Sequence, residues 1–102
     1  MTAQAFAALG DTTRLQLVAR LCGEGPLSIA RLTEGAQISR QAVTKHLKSL
    51  EHAGLVRSGR QGRESFWELD TAQLAEARSY LDGIAAQWSA ALQRLKAYVE
   101  AP

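Results

Sequence analysis

The 102-residue chain has little of what cross-linked, secreted or membrane proteins need. It contains a single cysteine, Cys22, so no disulfide can close within one chain, which favours a reducing compartment. Its apolar runs extend over only a few residues and are too short for a transmembrane helix. The N-terminal segment lacks the basic start and the apolar core of a secretory signal. We therefore expect a cytoplasmic protein with no membrane partner.

Groupings of catalytic side chains are also scarce. No spacing supports a Ser/His/Asp arrangement or a glycine-rich phosphate loop. Glu64, Glu68 and Asp70 alternate along an extended segment, where an exposed charged face is the ordinary explanation. The sequence therefore predicts a protein that is not an enzyme and that needs no cofactor.

Charge is distributed unevenly along the chain. Residues 1–39 carry three cations and three acids, and residues 64–102 carry three cations and six acids. Residues 40–63 carry six cations against one acid, Glu51, which gives them a net charge of +5. A basic middle between neutral and acidic ends is typical of a surface that binds a polyanion.

Three helices are predicted in the first 36 residues. The first covers about residues 3–9 and ends at Gly10, Asp11 caps the second, and Ser28 begins a short third one. Residues 23–26, GEGP, end the second helix. Its apolar residues recur at helical spacing and predict a core-facing stripe in which Cys22 is a buried, inert member. The stripe consists of Leu15, Val18, Leu21 and Cys22, with Leu17 beside it.

The stretch SRQAVTKHLKSLEHAGLV, residues 39–56, is the most structured part of the sequence. Ser39 is a good N-cap, and Gly54 stands where helices commonly end in a left-handed conformation. Val43, Leu47 and Leu50 recur at helical spacing and predict a face turned toward the core. The opposite face is polar and basic.

A β-hairpin is predicted after this helix, over residues 55–69. Gly59 and Gly62 are expected to give the chain its freedom to turn around QGR. Trp67 and Leu69 share one strand face and are expected to pack inward. Phe66 falls on the other face, and the pattern does not place it.

A long last helix is predicted over residues 71–99, opened by a capping box that begins at Asp70. Two series of apolar residues recur along it every seven positions, which is typical of a coiled-coil seam. A chain this short has little else to cover the seam, so we predict a symmetric homodimer, with packing against the first two helices as the alternative. The expected interface residues are Phe6, Leu9, Leu81, Ile84, Trp88, Leu92 and Leu95.

These elements predict a mainly α (α+β) fold, a winged helix-turn-helix with long dimerisation helices at both ends. We expect one domain over residues 1–102, with dimerisation helices at about 3–24 and 71–99, the helix-turn-helix at 28–54 and the wing at 55–69. The second helix of such a motif lies in the DNA major groove. Its Gln can pair with adenine, its Arg and Lys with guanine, and its Thr methyl with thymine, while wing arginines favour the minor groove or phosphates. The residues expected to contact double-stranded DNA are Ser39, Arg40, Gln41, Thr44, Lys45, Lys48, Arg60 and Arg63.

Three segments resemble the ArsR family of bacterial winged-helix repressors: FAALGDTTRLQLVARL, SRQAVTKHLKSLEHAGLVRSGRQGRESFWELD and the long terminal helix. The resemblance covers nearly the whole chain. It implies a homodimer that represses from a palindromic operator until a signal, such as an unidentified small-molecule inducer, relieves the repression.

The metal sites that the resemblance would imply are not matched. The segment LSIARL has no Cys-x-Cys pair, and residues 71–102 contain no histidine or cysteine. His46 and His52 are six residues apart and lie on different faces of a helix. We expect no metal site.

Two alternatives stay open at this point. A winged-helix dimer can serve as a protein-interaction scaffold without binding DNA, although such a module need not keep cations on both the helix and the wing. A repressor can also respond to oxidation, here through Cys22, although no second cysteine is available within one chain.

Overall fold

Five helices and three strands make up residues 3–101, the part of the chain that the computed structural model describes. The order confirms the predicted mainly α winged helix-turn-helix. The elements are α1 (Ala3–Leu9), α2 (Thr12–Glu24), β1 (Leu27–Ser28), α3 (Ile29–Glu34), α4 (Arg40–His52), β2 (Val56–Gln61), β3 (Glu64–Leu69) and α5 (Thr71–Glu100).

Side-chain caps begin four of the helices, as the sequence predicts. Asp11 Oδ1 accepts a hydrogen bond from the backbone N–H of Arg14 at 3.0 Å. Ser28 and Ser39 cap α3 and α4 in the same way, and Asp70 Oδ1 accepts from two N–H groups of the first turn of α5. Each cap satisfies backbone donors that have no partner within the helix.

The core lies between α4 and the surrounding helices and sheet. Its largest fully buried side chains come from α3, α4 and the segment that enters the wing. Trp67 of β3 is 5% exposed and closes the core on the sheet side, as predicted, while Leu69 packs against its edge. The fully buried side chains are Leu32, Val43, Leu47, Leu50, Leu55 and Val56.

The predicted core stripe of α2 is partly wrong. Leu17, Val18 and Leu21 are buried, whereas Leu15 is 54% exposed and Cys22 is also exposed. The apolar arc of α2 is wider than the surface against which it packs, and contacts with α4 and β3 select the side that carries Leu17. The periodicity alone does not show which side of a wide arc is covered.

The end of α4 confirms the role predicted for Gly54. This residue has φ +81°, and its N–H donates to the carbonyl of Glu51 at 2.9 Å. The next N–H, of Leu55, donates to the carbonyl of Leu50 at 3.0 Å. These two bonds form a Schellman motif, whose apolar contact is supplied by the buried Leu55.

The three strands form an antiparallel sheet in the order β1-β3-β2. β1, which the sequence pattern does not predict, pairs Leu27 with Trp67 over a length of two residues. Gln61 pairs with Glu64, so the hairpin turn consists of Gly62 and Arg63. Gly62 has φ +65°, as a tight hairpin turn favours.

One turn assignment from the sequence is wrong. Gly59 lies within β2, opposite Phe66, and takes no part in the turn. Phe66, which the pattern did not place, is half-buried on the sheet face that does not carry Trp67.

Helix α5 leaves the core soon after it begins. The N–H of Asp70 donates to the carbonyl of Leu55 at 2.9 Å and fixes the start of the helix beside the wing. Within residues 3–101, Ala77 is the only buried residue that α5 contributes. A helix of 30 residues is about 45 Å long, so most of α5 projects from a molecule whose longest extent is 71 Å. Across the described residues, no helix combines the length and the apolar character that a membrane span needs.

Two glycine substitutions are expected to change stability in opposite directions. Gly54→Ala forces a side chain into the left-handed region and should lower the free energy of unfolding by about 1 kcal/mol. Gly83→Ala, inside α5 where an added Cβ meets no atom within 4 Å, should raise it by roughly 1 kcal/mol. Urea unfolding at one protein concentration measures both, and equal signs would contradict the assignment of Gly54.

Candidate nucleic-acid interface

The packing of α4 decides which of its side chains face solvent. Val43, Leu47 and Leu50 have no exposed surface, so the opposite side of the helix points outward. The DNA-contacting residues predicted on this helix and its cap all lie on or beside that outer side, where Thr44 is half-buried and the others are exposed. They are Ser39, Arg40, Gln41, Thr44, Lys45 and Lys48.

Two hydroxyl groups on α4 have defined roles within the helix. Ser39 Oγ accepts from the N–H of Ala42 at 3.1 Å, so its own proton is available to an acceptor such as a phosphate oxygen. Thr44 Oγ1 donates to the carbonyl of Arg40 at 2.9 Å. That bond commits the hydroxyl proton of Thr44 and leaves its methyl group as the part that can contact a thymine methyl.

Two grooves run along the flanks of α4. The first, the α1 groove, has a volume of about 720 Å³ and separates α4 from α1 and α2. The second, the wing groove, has a volume of about 530 Å³ and separates α4 from β2 and β3. Thr44 and Lys48 line both grooves and therefore form the ridge between them.

The grooves bring together six of the eight predicted contact residues. Gln41 and Lys45 line the α1 groove, whereas Arg40 and Arg60 line the wing groove on its two sides. Arg63 lies at the hairpin turn, and Ser39 lies at the start of α4; neither lines a groove. Six of the predicted residues thus lie on or beside the ridge, and Ser39 and Arg63 lie outside the two grooves.

Cations without a side-chain partner are concentrated at this surface, although Arg94 and Lys96 of α5 also have none among residues 3–101. Four arginines form ion pairs with nearby carboxylates: Arg20 with Glu24, Arg31 with Glu24 and Glu34, Arg57 with Glu68, and Arg78 with Asp82. The five cations predicted to contact DNA form no side-chain hydrogen bond or ion pair with residues 3–101. They are Arg40, Lys45, Lys48, Arg60 and Arg63.

A contact that the sequence pattern does not predict joins α4 to the wing. Glu51 Oε2 accepts from the backbone N–H of Ser58 at 3.1 Å and from its Oγ at 2.6 Å. Glu51 is the one acid in the basic segment 40–63, and that isolation is the signal that could have singled it out.

A second polar cluster supports α4 from the side of α2. The guanidinium of Arg14 donates from Nε to the carbonyl of Ala8 at 2.6 Å and lies 3.4 Å from Nδ1 of half-buried His46. The N–H of Arg14 lowers the pKa of the Asp11 carboxyl, and the charge of the same arginine adds to that effect. Because it is half-buried and contacts Arg14, His46 lies beneath the outer face of α4 and not on it.

The predicted interface residues divide between two environments. Leu81, Trp88, Leu92 and Leu95 are 53–66% exposed along α5, and Ile84 is half-buried. Phe6 and Leu9 of α1 are half-buried, and Leu9 packs against the chain's own core. The ring centroids of Phe6 and Tyr80 are 5.5 Å apart, which places α1 beside the first turns of α5.

Comparisons with known proteins identify the family. Residues 9–59, half of the chain, match a family described as a helix-turn-helix domain. The HTH-type transcriptional regulator Rv2034 of Mycobacterium tuberculosis is 39% identical over 89 residues, which cover 87% of this chain and 79% of that protein. The solved structure of an ArsR-like transcriptional regulator from Rhodococcus superposes with a TM-score of 0.79 at 36% identity, covering 98% of this chain and 93% of the other.

The chain belongs to the ArsR family of winged helix-turn-helix transcriptional regulators. A further relative, the arsenical resistance operon repressor of Bacillus subtilis, is 33% identical over 66% of this chain and 64% of that repressor.

The side chains that could hold a metal ion lie apart in the described part of this ArsR-family chain. Across residues 3–101, no three side chains of His, Cys, Asp or Glu come close enough together to hold a metal ion. Cys22 was expected to be buried, but its side chain is exposed at the last turn of α2, where the chain turns toward Pro26. Its exposure follows from the rotation of α2 that buries Leu17.

The cap of α4 gives a direct stability test. Ser39→Ala removes the acceptor for the N–H of Ala42 and should lower the free energy of unfolding by about 1 kcal/mol. Ser49→Ala, on the exposed side of the same helix, removes a hydroxyl without a cap and should leave stability unchanged or slightly raised. Thermal unfolding followed by circular dichroism compares them, and equal losses would show that Ser39 does not act as the cap.

Proposed function

We propose that this ArsR-family protein is a homodimeric repressor that reads a palindromic operator with α4 and holds flanking DNA with the wing. The observation that carries the proposal is the set of five unpaired cations around α4 and at the hairpin. By contrast, Arg20, Arg31, Arg57 and Arg78 have carboxylate partners, and Arg94 and Lys96, which have none among the described residues, lie apart on α5. Cations left without partners on one exposed face are available to the phosphates of a nucleic acid.

The side chains divide into two kinds of contact. Arg40, Gln41 and Lys45 lie in the N-terminal half of α4, the part of a recognition helix that reaches base edges. Arg60 and Arg63 lie on the wing, where they can contact backbone or a narrow minor groove. Base preference should therefore depend on α4, and general affinity on the wing.

The exposed apolar face of α5 supports the homodimer. Leu81, Trp88, Leu92 and Leu95 lie within about 60° of one another around the helix axis, so they form one continuous stripe. The same side of α5 packs on the chain's own core through Leu74 and Ala77. Exposed apolar area of this extent marks an interaction surface, and a two-fold dimer covers it with the same residues of a second copy.

The two-fold symmetry of such a dimer has a consequence for the operator. Two copies of α4 enter successive major grooves on one side of the duplex, with centres about 34–36 Å apart. The operator is therefore palindromic. Selection of bound sequences from random DNA tests whether the protein binds DNA and identifies the operator sequence in the same experiment.

Two substitutions should affect DNA binding in different ways. Gln41→Ala should cost roughly 1–3 kcal/mol on the selected operator and relax the base preference at one position. Arg63→Ala should weaken binding to all sequences evenly and reduce the slope of log affinity against log salt by about one. Fluorescence anisotropy over a panel of operator variants, at several salt concentrations, measures both effects.

Arg94→Ala is the matched control for charge, because it removes an exposed cation from α5 and should leave DNA affinity unchanged. If Gln41→Ala and Arg63→Ala had the same effect across the panel, the proposed division between base preference, set by α4, and general affinity, set by the wing, would be wrong. If the wild-type chain bound no DNA at low salt, the proposed function itself would fall.

A pair of neighbouring substitutions tests the dimer. Leu92→Glu places a carboxylate in the apolar stripe and should shift the protein from dimer to monomer, because a desolvated charge is left unpaired. Gln93→Glu adds the same charge on the far side of α5 and should leave the dimer intact. Sedimentation velocity at several concentrations distinguishes them; a wild-type monomer, or a dimer that survives Leu92→Glu, would refute this interface.

A further inference from the structure

Glu51 carries a negative charge on a surface that is otherwise basic. It lies on the face that is proposed to approach DNA phosphates, where a carboxylate is repelled, and it lines the wing groove together with Arg40 and Lys48. Its side chain forms no ion pair with any residue that the structure describes. Its carboxylate accepts from both donors of Ser58, the backbone N–H and the hydroxyl.

The N–H of Ser58 needs an acceptor outside the sheet. β2 is an edge strand, because the sheet order is β1-β3-β2. Half of the N–H groups of an edge strand point away from the sheet and must find water or a side chain. The carboxylate of Glu51 supplies that acceptor, and its 2.6 Å bond to Ser58 Oγ has the length of a charge-assisted hydrogen bond.

The contact joins the two parts of the proposed DNA interface. Glu51 lies in the last turn of α4, and Ser58 lies two residues before Arg60 on β2. Because side chains alternate along a strand, Ser58 and Arg60 point to the same face, and both line the wing groove. A bond that holds Ser58 therefore fixes the distance between Arg60 and α4.

We propose that Glu51 is a positioning residue, which clamps the wing to α4 so that Arg60 and the outer face of α4 engage one DNA duplex together. The inference rests on the DNA-binding function proposed above. Glu51 does not contact DNA itself; it acts through the placement of Arg60. The repulsion between its charge and the phosphates is offset by the order that it gives to the wing.

A charge-matched pair of variants separates positioning from charge. Glu51→Gln and Glu51→Ala both remove the negative charge, but only glutamine keeps an oxygen that can accept from Ser58. Glu51→Ala should bind the selected operator roughly three- to tenfold more weakly than Glu51→Gln, the loss expected for one or two hydrogen bonds. Equal affinity of the two variants would overturn the proposal, because the charge of Glu51 would then be its whole contribution.

A second measurement tests whether Glu51 acts through Arg60. If Glu51 only stabilised the fold, removing Arg60 would not change the difference in DNA affinity between the two Glu51 variants. In an Arg60→Ala background, Glu51→Ala and Glu51→Gln should bind equally within about twofold, because the positioned side chain is gone. In a Gln41→Ala background, the difference between the two variants should persist in full. A difference that persists in both backgrounds would show that Glu51 does not act through Arg60.

Amide hydrogen exchange tests the clamp without DNA. The Ser58 N–H should be protected in the wild type and in Glu51→Gln, and should exchange faster in Glu51→Ala. Ser58→Ala keeps that N–H bond and should keep its protection, with Ser65→Ala as the control on the neighbouring strand. Fast exchange of Ser58 in the wild type would overturn the inference even if DNA binds. Protection in a chain that binds no DNA would instead refute the proposed function and leave the clamp without its role in DNA binding.

Discussion

The complete burial of Val43, Leu47 and Leu50 fixes the rotation of α4 about its own axis. Exposing one such side chain costs about 1.5–3 kcal/mol, whereas an ion pair on the surface returns about 0–1 kcal/mol. Apolar packing therefore decides the orientation of the helix, and the burial of the apolar side turns the charged side toward solvent. The side chains on the outer side of α4 are therefore already oriented in the absence of DNA. Binding then incurs no free-energy cost for rotating the helix.

Hydrogen bonds at the end of α4 extend this orientation to the neighbouring elements. The left-handed turn at Gly54 directs the chain into β2, and Glu51 holds Ser58 of that strand. The carbonyl of Leu55 then accepts from the N–H of Asp70, which sets the start of α5. Wing and α5 are thus placed relative to the same helix end. Backbone hydrogen bonds through Leu55 thus connect the start of α5 to the end of α4.

The features that the sequence predicted correctly are local ones. A cap or a glycine turn such as Gly54 is decided by residues within one turn of helix, so the pattern is sufficient. β1 is two residues long and exists because β3 pairs with it, which no local signal reveals. The burial of α2 was misassigned at Leu15 and Cys22 because the choice between sides of a wide apolar arc depends on tertiary contacts. The contact of Glu51 is not predictable from the sequence for the same reason, since its partner, Ser58, lies on another element.

The apolar face of α5 connects the two halves of the proposed function. In the proposed dimer, Leu81, Trp88 and Leu95 set how closely two copies approach, and therefore how far apart the two copies of α4 lie. DNA offers its major groove at a repeat of about 34–36 Å, so this separation determines whether both helices bind at once. In the proposed dimer, a displacement of one α5 against the other would therefore alter operator affinity while the outer side of α4, fixed by the core, stays unchanged.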